Sequence, residues 1–261
     1  MGAALPGVTP LGVAWEVRDE GPAGTPAAVV ARDAALLDAV RAGGSPPIAR
    51  IWDNARCLVA ARSDARLPRF AEAAEALAAE GWPVCVRESG GTAVPQGPGI
   101  VSLTLVFRPP PGPPFTIEAG YDAVCHPLER ALGALGLAAE RGPVGRAFCD
   151  GRFDLAVGGR KLAGTAQRWR AVPGGPTPER GAVLLHAVVL VATDRAEAIG
   201  AVNRFYDRAG SDRRADPEAS ITLREAWAAA GDARAAEPPS AVVAAFRAAL
   251  ADALRAPGGC A

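Results

Sequence analysis

Residues 153–169 read FDLAVGGRKLAGTAQRW, and this stretch constrains the fold more than any other. A short run of mainly apolar residues ends at Val157, and Gly158-Gly159 separates it from a second run that starts near Lys161. A glycine pair between two such runs is typical of a tight β-hairpin, because glycine readily adopts the positive φ that the turn requires. The pattern therefore predicts a hairpin with Lys161 on its second strand.

Other apolar runs predict further strands and helices on both sides of this hairpin. The additional strands are predicted at 48–52, 57–60, 84–86, 100–107 and 182–191. Helices are predicted at 28–40, 68–80, 117–137, 193–209 and 240–254, with a capping box at 222–225. The turn residues Asp53 and Asn54 predict that the first two of these strands form a pair. Because strands and helices do not alternate regularly, we expect an α/β fold of the α+β type, with a mixed, largely antiparallel sheet flanked by helices.

Composition restricts the possible classes of function. The 28 basic residues balance 28 acidic ones, which does not favour nucleic-acid binding. No window approaches the roughly 18 apolar residues of a membrane span. Residues 1–15 also lack a basic region followed by an apolar run, the pattern of an export signal. We therefore expect a cytoplasmic protein that binds neither membranes nor nucleic acid.

Cysteines and histidines give no sign of a disulfide framework or a metal site. The five cysteines, at positions 57, 85, 125, 149 and 260, include no Cys-x-x-Cys pair, so we expect reduced thiols. Cys57, Cys85 and Cys125 lie in apolar or helical surroundings, which is typical of inert buried thiols. His126 and His186 are each far in sequence from other ligand-type residues, and no metal-binding residue is predicted.

Lys161 is the only lysine among the 28 basic residues. A lysine kept in an arginine-rich chain indicates a position that needs a compact ammonium group, although chance retention is the alternative. Cys149 precedes it across a turn-rich segment, so the two side chains can meet in space. A neighbouring ammonium would favour the thiolate and make Cys149 a candidate nucleophile.

The glycine-rich segment 87–99, RESGGTAVPQGPG, is the second candidate site. The adjacent glycines at 90 and 91 let backbone N–H groups approach a ligand closely, and Arg87 beside them could help to hold a carboxylate or phosphate. An ordinary connection between strands is the alternative interpretation.

Together these segments resemble the lipoate-protein ligase and octanoyltransferase family, whose catalytic domain is similar to that of biotin-protein ligase and to the class II synthetase-like fold. Residues 87–94 are similar to the family's Arg-x-Ser-Gly-Gly-Gly-Ala-Val loop. Residues 154–167 are similar to its Asn-Asp-Leu, Gly-Lys-Lys and Gly-Ser-Ala-Gln hairpin. Thr92 and Gln96 stand where the family normally has a glycine and a histidine.

The resemblance implies a set of site residues. Lys161 would be the family's essential lysine, which contacts the acyl carbonyl, and Cys149 would be the catalytic cysteine of one transferase group. His186 is offset from the family's usual histidine and is assigned no role. The residues expected to bind substrate or cofactor are Arg87, Ser89, Gly90, Gly91, Thr92, Ala93, Asp154, Gly164, Thr165 and Ala166.

The resemblance leaves the mechanism open. A ligase would activate free lipoate or octanoate with ATP and Mg, whereas a transferase would move the acyl group from acyl carrier protein onto Cys149. Either enzyme would acylate a lysine of a lipoyl-domain protein, without a permanently bound cofactor. A catalytically silent binding or assembly module for acyl or lipoyl proteins is the third possibility, and Thr92 and Gln96 would favour it. The segment after Arg224 is too short for the accessory domain of many ligases, so we expect residues 1–261 to form a single catalytic domain.

Overall fold

The computed structural model describes residues 13–110, 114–149, 151–171 and 181–256, so Cys260 lies outside the described residues. Its helices are α1 (Pro26–Arg41), α2 (Phe70–Ala79), α3 (Ile117–Ala134), α4 (Arg195–Ala209), α5 (Leu223–Ala229) and α6 (Pro239–Arg255). Its strands are β1 (Glu16–Glu20), β2 (Ile48–Trp52), β3 (Cys57–Ala61), β4 (Val84–Arg87), β5 (Val94–Gln96), β6 (Ile100–Phe107), β7 (Glu140–Arg141), β8 (Leu155–Val157), β9 (Arg160–Arg170) and β10 (Ala182–Leu190). None of the helices in these ranges combines the length and apolar character that a membrane crossing needs.

Seven strands form the main sheet, in the order β1-β2-β6-β10-β9-β8-β7. Its neighbouring strands run antiparallel except for β1 and β2, which run parallel. The predicted hairpin is confirmed, since β8 and β9 pair directly around the glycine turn. The predicted mixed, largely antiparallel sheet is confirmed as well.

A second sheet of three strands has the order β4-β3-β5, with β3 parallel to β4 and antiparallel to β5. The predicted pairing of strands 48–52 and 57–60 is therefore wrong, because β2 belongs to the main sheet and β3 to the small one. Every residue of both strands is buried, which is typical of strands covered on both faces. The turn at Asn54 connects the two sheets, and its side-chain amide donates to the carbonyl of Pro26 at the start of α1.

Helices cover both faces of the main sheet. Helices α3, α5 and α6 pack on one face, against a core that includes Leu103 and Leu185. Helix α1 packs on the other face, where Leu37 contributes to a cluster with Ile48 and Leu184. The small sheet lies on this same side, with α2 and α4 packed on it. A cavity lies between α1, the small sheet and the main sheet.

Local sequence signals define the helix ends. Thr25, Thr116 and Asp194 each accept a hydrogen bond from the first turn of α1, α3 and α4 respectively. The predicted capping box is confirmed, with the side chains of Thr222 and Glu225 each bonded to the other residue's backbone N–H. Helix α3 ends at Ala134, three residues before its predicted end, and it continues through Pro127.

Candidate active site

The floor of the site consists of side-chain rows that cross the main sheet. Register partners on neighbouring strands point to the same face, so each row is a line of adjacent side chains. The first row is Trp52, Ser102, Val188 and Gly164. The second row is Arg50, Thr104, His186 and Ala166. Polar groups on a buried face cost free energy unless they are bonded, so these rows indicate a site rather than an ordinary core.

A cavity of about 290 Å³ lies over this floor, between α1 and the small sheet. Its volume is at the lower end of the range for small-molecule sites. Its apolar walls include Val30, Leu37, Trp52, Val59 and Val188. The side chains with polar or thiol groups that line it are Asp33, Cys85, Arg87, Glu88, Ser89, Gln96, Ser102, Cys149, Thr165, Arg168 and His186.

Lys161 is fully buried directly behind Cys149. Its Nζ donates to the carbonyl oxygens of Phe148, at 2.8 Å, and Cys149, at 2.6 Å. The third donation, at 2.7 Å, is to Oδ2 of Asp154. An ammonium group has three N–H donors, so all of them have acceptors. Burial raises the pKa of the Asp154 carboxyl, while the Lys161 ammonium and the Gly151 N–H act to lower it.

Cys149 carries the thiol that faces the cavity. Its φ of 46° lies in the left-handed region, which is uncommon for a residue with a side chain. Its Sγ accepts a hydrogen bond of 3.3 Å from the backbone N–H of Thr92. The sequence predicted that the ammonium of Lys161 would lie beside this thiol. The structure brings the two residues together, but the ammonium bonds to the backbone oxygen of Cys149.

Gly91 provides the space in which the sulfur lies. A Cβ on this residue would be 2.8 Å from Sγ of Cys149 and 3.0 Å from a guanidinium nitrogen of Arg87, and its φ is 96°. The thiol and the guanidinium therefore flank the same point. Gly91 thus lets the sulfur lie beside the loop and on the cavity wall, a position that suits a nucleophile.

Arg87 holds the glycine-rich loop by hydrogen bonds. Its guanidinium donates to the carbonyl oxygens of Val59, Gly90 and Thr92, at 2.7, 2.9 and 2.8 Å. Its Nε donates to Oγ of Ser89, at 3.0 Å. The loop is thus fixed to β3 of the small sheet and to the start of β5.

A buried polar network continues from this loop along the second row. Oγ of Ser89 lies 2.9 Å from Nε2 of His186. Asp33 of α1 accepts hydrogen bonds from Arg50, at 2.8 Å, and Thr104, at 2.9 Å. Burial lowers the pKa of His186, and the charge of Arg87 lowers it further, although Asp33 acts in the opposite direction. His186 is therefore neutral near pH 7.

The predicted site residues occupy two layers. Those that line the cavity are Arg87, Ser89, Cys149, Gly164, Thr165 and Ala166. Those that support its walls from behind are Gly90, Gly91, Thr92, Ala93, Asp154 and Lys161. Gly164 joins the two layers, because a Cβ there would lie 3.0 Å from Nζ of Lys161.

Several residues of the site were not predicted from the sequence. Asp33 lies between the buried residues Val29 and Leu37 on one face of α1, and a carboxylate at helical spacing within an apolar face was a signal that could have found it. Tyr206 of α4 accepts from the N–H of Ala93, at 2.7 Å, and donates to Asp64. Burial raises the pKa of Tyr206 to about 12, so its hydroxyl stays protonated. No local pattern predicted a role for Tyr206, since its partners Ala93 and Asp64 are distant from it in the sequence.

Among the described residues, no three side chains of the histidine, cysteine, aspartate and glutamate types lie close enough together to hold a metal ion.

Comparisons with known proteins agree on one family. Residues 25–224 match the family described as the lipoyl protein ligase A/B catalytic domain. An octanoyl-[GcvH]:protein N-octanoyltransferase of Kyrpidia tusciae is 40% identical over 214 residues, which cover 80% of this chain and 72% of that protein. An enzyme of the same name from Geobacillus kaustophilus is 33% identical over 196 residues, covering 74% and 66%. The structure of a lipoate-protein ligase A bound with ATP has a TM-score of 0.67 at 18% identity, over 92% of this chain and 85% of that one.

Proposed function

This chain belongs to the lipoyl protein ligase A/B catalytic domain family, and we propose that it transfers an octanoyl group between lipoyl-domain proteins through a thioester on Cys149. Membership of the family makes it an enzyme that moves a lipoyl or octanoyl group to a lipoyl-domain protein. The relatives from Kyrpidia tusciae and Geobacillus kaustophilus are named for transfer from octanoyl-GcvH to a protein. Their names support a lipoyl-domain carrier as the donor and give no support to acyl carrier protein.

The observation that carries this proposal is the position of the Cys149 sulfur. It lies on the cavity wall, accepts a backbone N–H and flanks the same point as the Arg87 guanidinium. A thiol that faces the cavity and is held by a backbone N–H can reach the carbonyl of a bound acyl group. A ligase needs no such thiol, so the arrangement favours the transferase.

Lys161 acts as a positioning residue in this proposal. Its ammonium bonds to the carbonyls of Phe148 and Cys149 and holds the thiol in its left-handed backbone conformation. Contact between this ammonium and an acyl carbonyl would require one of its three hydrogen bonds to be released.

The transfer takes place in two balanced steps. The Cys149 sulfur attacks the carbonyl of the acylated lysine on the carrier, the C–N bond breaks, and the proton of the thiol passes to the lysine amine, which leaves. The octanoyl group is then held on Sγ as a thioester. The amine of the acceptor lysine attacks this thioester, the C–S bond breaks, and a proton of the amine passes to the sulfur and restores the thiol. One amide is exchanged for another, so the reaction needs no ATP.

The size of the cavity fits such an acyl group. About 290 Å³ provides room for roughly ten water-sized groups at ~30 Å³ each. An octanoyl group has eight carbons and one oxygen, so it can fill this space without leaving a large void.

The proposal is tested by the intact mass of an apo lipoyl domain after incubation with this protein and octanoylated GcvH, without ATP. Parallel reactions contain octanoyl-acyl carrier protein without ATP, or free octanoate with ATP and Mg. We expect modification with octanoylated GcvH and an octanoyl adduct on the enzyme itself. Modification only in the reaction with ATP would show a ligase instead.

Two cysteine variants make this test specific. Cys149→Ala should abolish both the transfer and the enzyme adduct. Cys125→Ala is the matched control, because this second thiol lies on the buried face of α3 and does not line the cavity. Full transfer by Cys149→Ala would contradict the thioester mechanism.

A further inference from the structure

We propose that Gln96 and Ser102 form a hydrogen-bonding site for a hydroxyl group at the far end of the acyl chain. This inference rests on the proposed function, because it concerns the chain held on Cys149. The site would give the enzyme a preference for oxygen-substituted medium chains that a wholly apolar cavity lacks.

The first observation is an unpartnered polar atom in the cavity wall. Gln96 is 1% exposed, and its Nε2 donates to Oγ of Ser102 at 2.9 Å. Its Oε1 has no hydrogen-bond partner among the described residues. Both side chains line the cavity. A buried acceptor that stays unpaired costs about 1–3 kcal/mol, so a purely hydrocarbon chain packed against it is a poor match.

The second observation is the span of the cavity floor between Ser102 and Gly164, the row residue that lies nearest to the Lys161–Cys149 contact. Ser102 and Gly164 belong to the same row, with β10 between their strands. Strands lie about 4.8 Å apart, which places Ser102 roughly 10 Å across the sheet from Gly164. Gly164 packs against Lys161, which bonds to Cys149.

An eight-carbon chain spans this distance. Its seven carbon–carbon bonds of about 1.5 Å reach roughly 9 Å in an extended zigzag. A chain that runs from Cys149 along this row would bring its last carbons near Ser102 and Gln96, beside Trp52 at the end of the row.

Two polar side chains near this position, Trp52 and Thr104, are bonded within the network of the second row, whereas Nη2 of Arg50 beneath the Trp52 ring has no partner among the described residues. Nε1 of Trp52 donates to Thr104, and Thr104 donates to Asp33. Arg168 also has an unpaired buried nitrogen, Nε, but its side chain is 34% exposed and lies in a third row with Leu184. A hydroxyl both donates and accepts, so it can bond to Gln96 in either orientation of the side-chain amide.

The test compares two donors, octanoyl-GcvH and 8-hydroxyoctanoyl-GcvH, with the native protein and the variant Gln96→Met. Methionine keeps the length of the side chain and removes the amide. We expect the ratio of kcat/KM for the hydroxylated donor over the plain donor to fall by about tenfold or more in the variant. Transfer of the plain octanoyl group by the native protein tests the proposed function separately, and a cooperative urea unfolding transition of Gln96→Met shows that the variant folds.

Binding of two unreactive esters keeps the inference testable if neither donor is used. Calorimetry would compare methyl 8-hydroxyoctanoate with methyl octanoate, in native protein and in Gln96→Met. A preference for the hydroxylated ester that the variant loses supports the site even if the transfer reaction fails. Ratios that agree within twofold between native protein and variant, in transfer or in binding, would overturn it.

Discussion

Lys161 explains why a chain rich in arginine retains one lysine. Its buried ammonium meets three acceptors within 2.8 Å, and Gly164 leaves space for it, because a Cβ there would lie 3.0 Å from Nζ. A guanidinium is planar and bulkier, so it cannot bond to the same three oxygens. The residue identity therefore follows from the geometry of the site.

The first prediction concerns this residue. Lys161→Ala should abolish transfer, and it should also lower the free energy of unfolding by about 3–5 kcal/mol because it leaves Asp154 buried without its partner. Lys161→Arg keeps the charge and should still lose at least about 100-fold in kcat/KM, since Cys149 is displaced. Arg160→Ala, one residue earlier on β9, is the control and should transfer normally. Full activity of either Lys161 variant would show that the site is wrongly assigned.

The second prediction concerns Gly91, which lies against the Cys149 sulfur. Gly91→Ala places a Cβ 2.8 Å from the Cys149 sulfur and at a φ of 96°, so it should lose most of the transfer activity and about 1–3 kcal/mol of stability. Gly81→Ala is the matched control, because Gly81 has a φ of 82° but no atom within 4 Å of the added Cβ. It should lose about 1 kcal/mol and keep its activity. Initial rates and urea denaturation separate the two effects, and equal activities of the two variants would contradict this account.

The sequence predicted the identity of these residues better than their contacts. Lys161 and Cys149 were found from residue type, spacing and the resemblance of their segments. The hydrogen bond from Lys161 to the Cys149 carbonyl was not predicted. It depends on a left-handed φ at Cys149, and no local pattern predicts this conformation at a residue other than glycine.

At the scale of elements, α1 and the main sheet are joined by a buried charge. Asp33 is 8% exposed and pairs with the fully buried Arg50, which also bonds to Glu20 of β1. Buried pairs are costly to break, because the remaining charge has no partner. The wall of the cavity thus depends on this contact between helix and sheet.

A third prediction follows for α1. Asp33→Asn keeps the shape of the side chain but removes its charge, and it should lower the free energy of unfolding by about 2–4 kcal/mol. Asp38→Asn, on the same helix and 47% exposed, removes a surface partner of Arg41 and Arg170 and should cost less than about 1 kcal/mol. Urea denaturation of both variants measures the difference. Equal losses would show that the Asp33 pair does not stabilise the contact.

Strand pairing was predicted less well than the strands themselves. Periodicity located β2, β3, β6, β9 and β10, whereas β1, β5 and β7 were missed. The edge strand β1 has charged residues at four of its five positions, and β5 contains Pro95, so neither resembles a typical strand. The separation of β2 from β3 is a tertiary property, because two short buried runs with a turn between them can pair or join different sheets.

At the scale of the whole molecule, the cavity arises where two sheets and α1 meet. Its lining comes from positions between 27 and 188, so it does not correspond to any single segment of the chain. The resemblance of two segments indicated the family, and the family implied the overall fold. The polar second row, with Asp33 above it, became visible only when the four strands were aligned.

The response of the molecule to acid provides the last prediction. The chain has two histidines, and burial lowers the pKa of both His186 and His126. The unfolded chain then binds protons near the ordinary histidine pKa of about 6.5, whereas the folded chain stays deprotonated to a lower pH. Stability therefore falls as the pH falls below about 6.5, because the unfolded state gains protons first.

Two charged groups face His186: Arg87 lowers its pKa and Asp33 raises it. Burial has the largest effect and lowers the pKa, so His186 makes the folded state less stable in acid. We expect the free energy of unfolding to be lower at pH 5.5 than at pH 7.5. His186→Gln should make this difference smaller, and the double variant with His126→Gln should make it smaller still, as measured by urea denaturation at the two pH values. Native protein that is equally stable at pH 5.5 and pH 7.5 would contradict the lowered pKa of the two histidines.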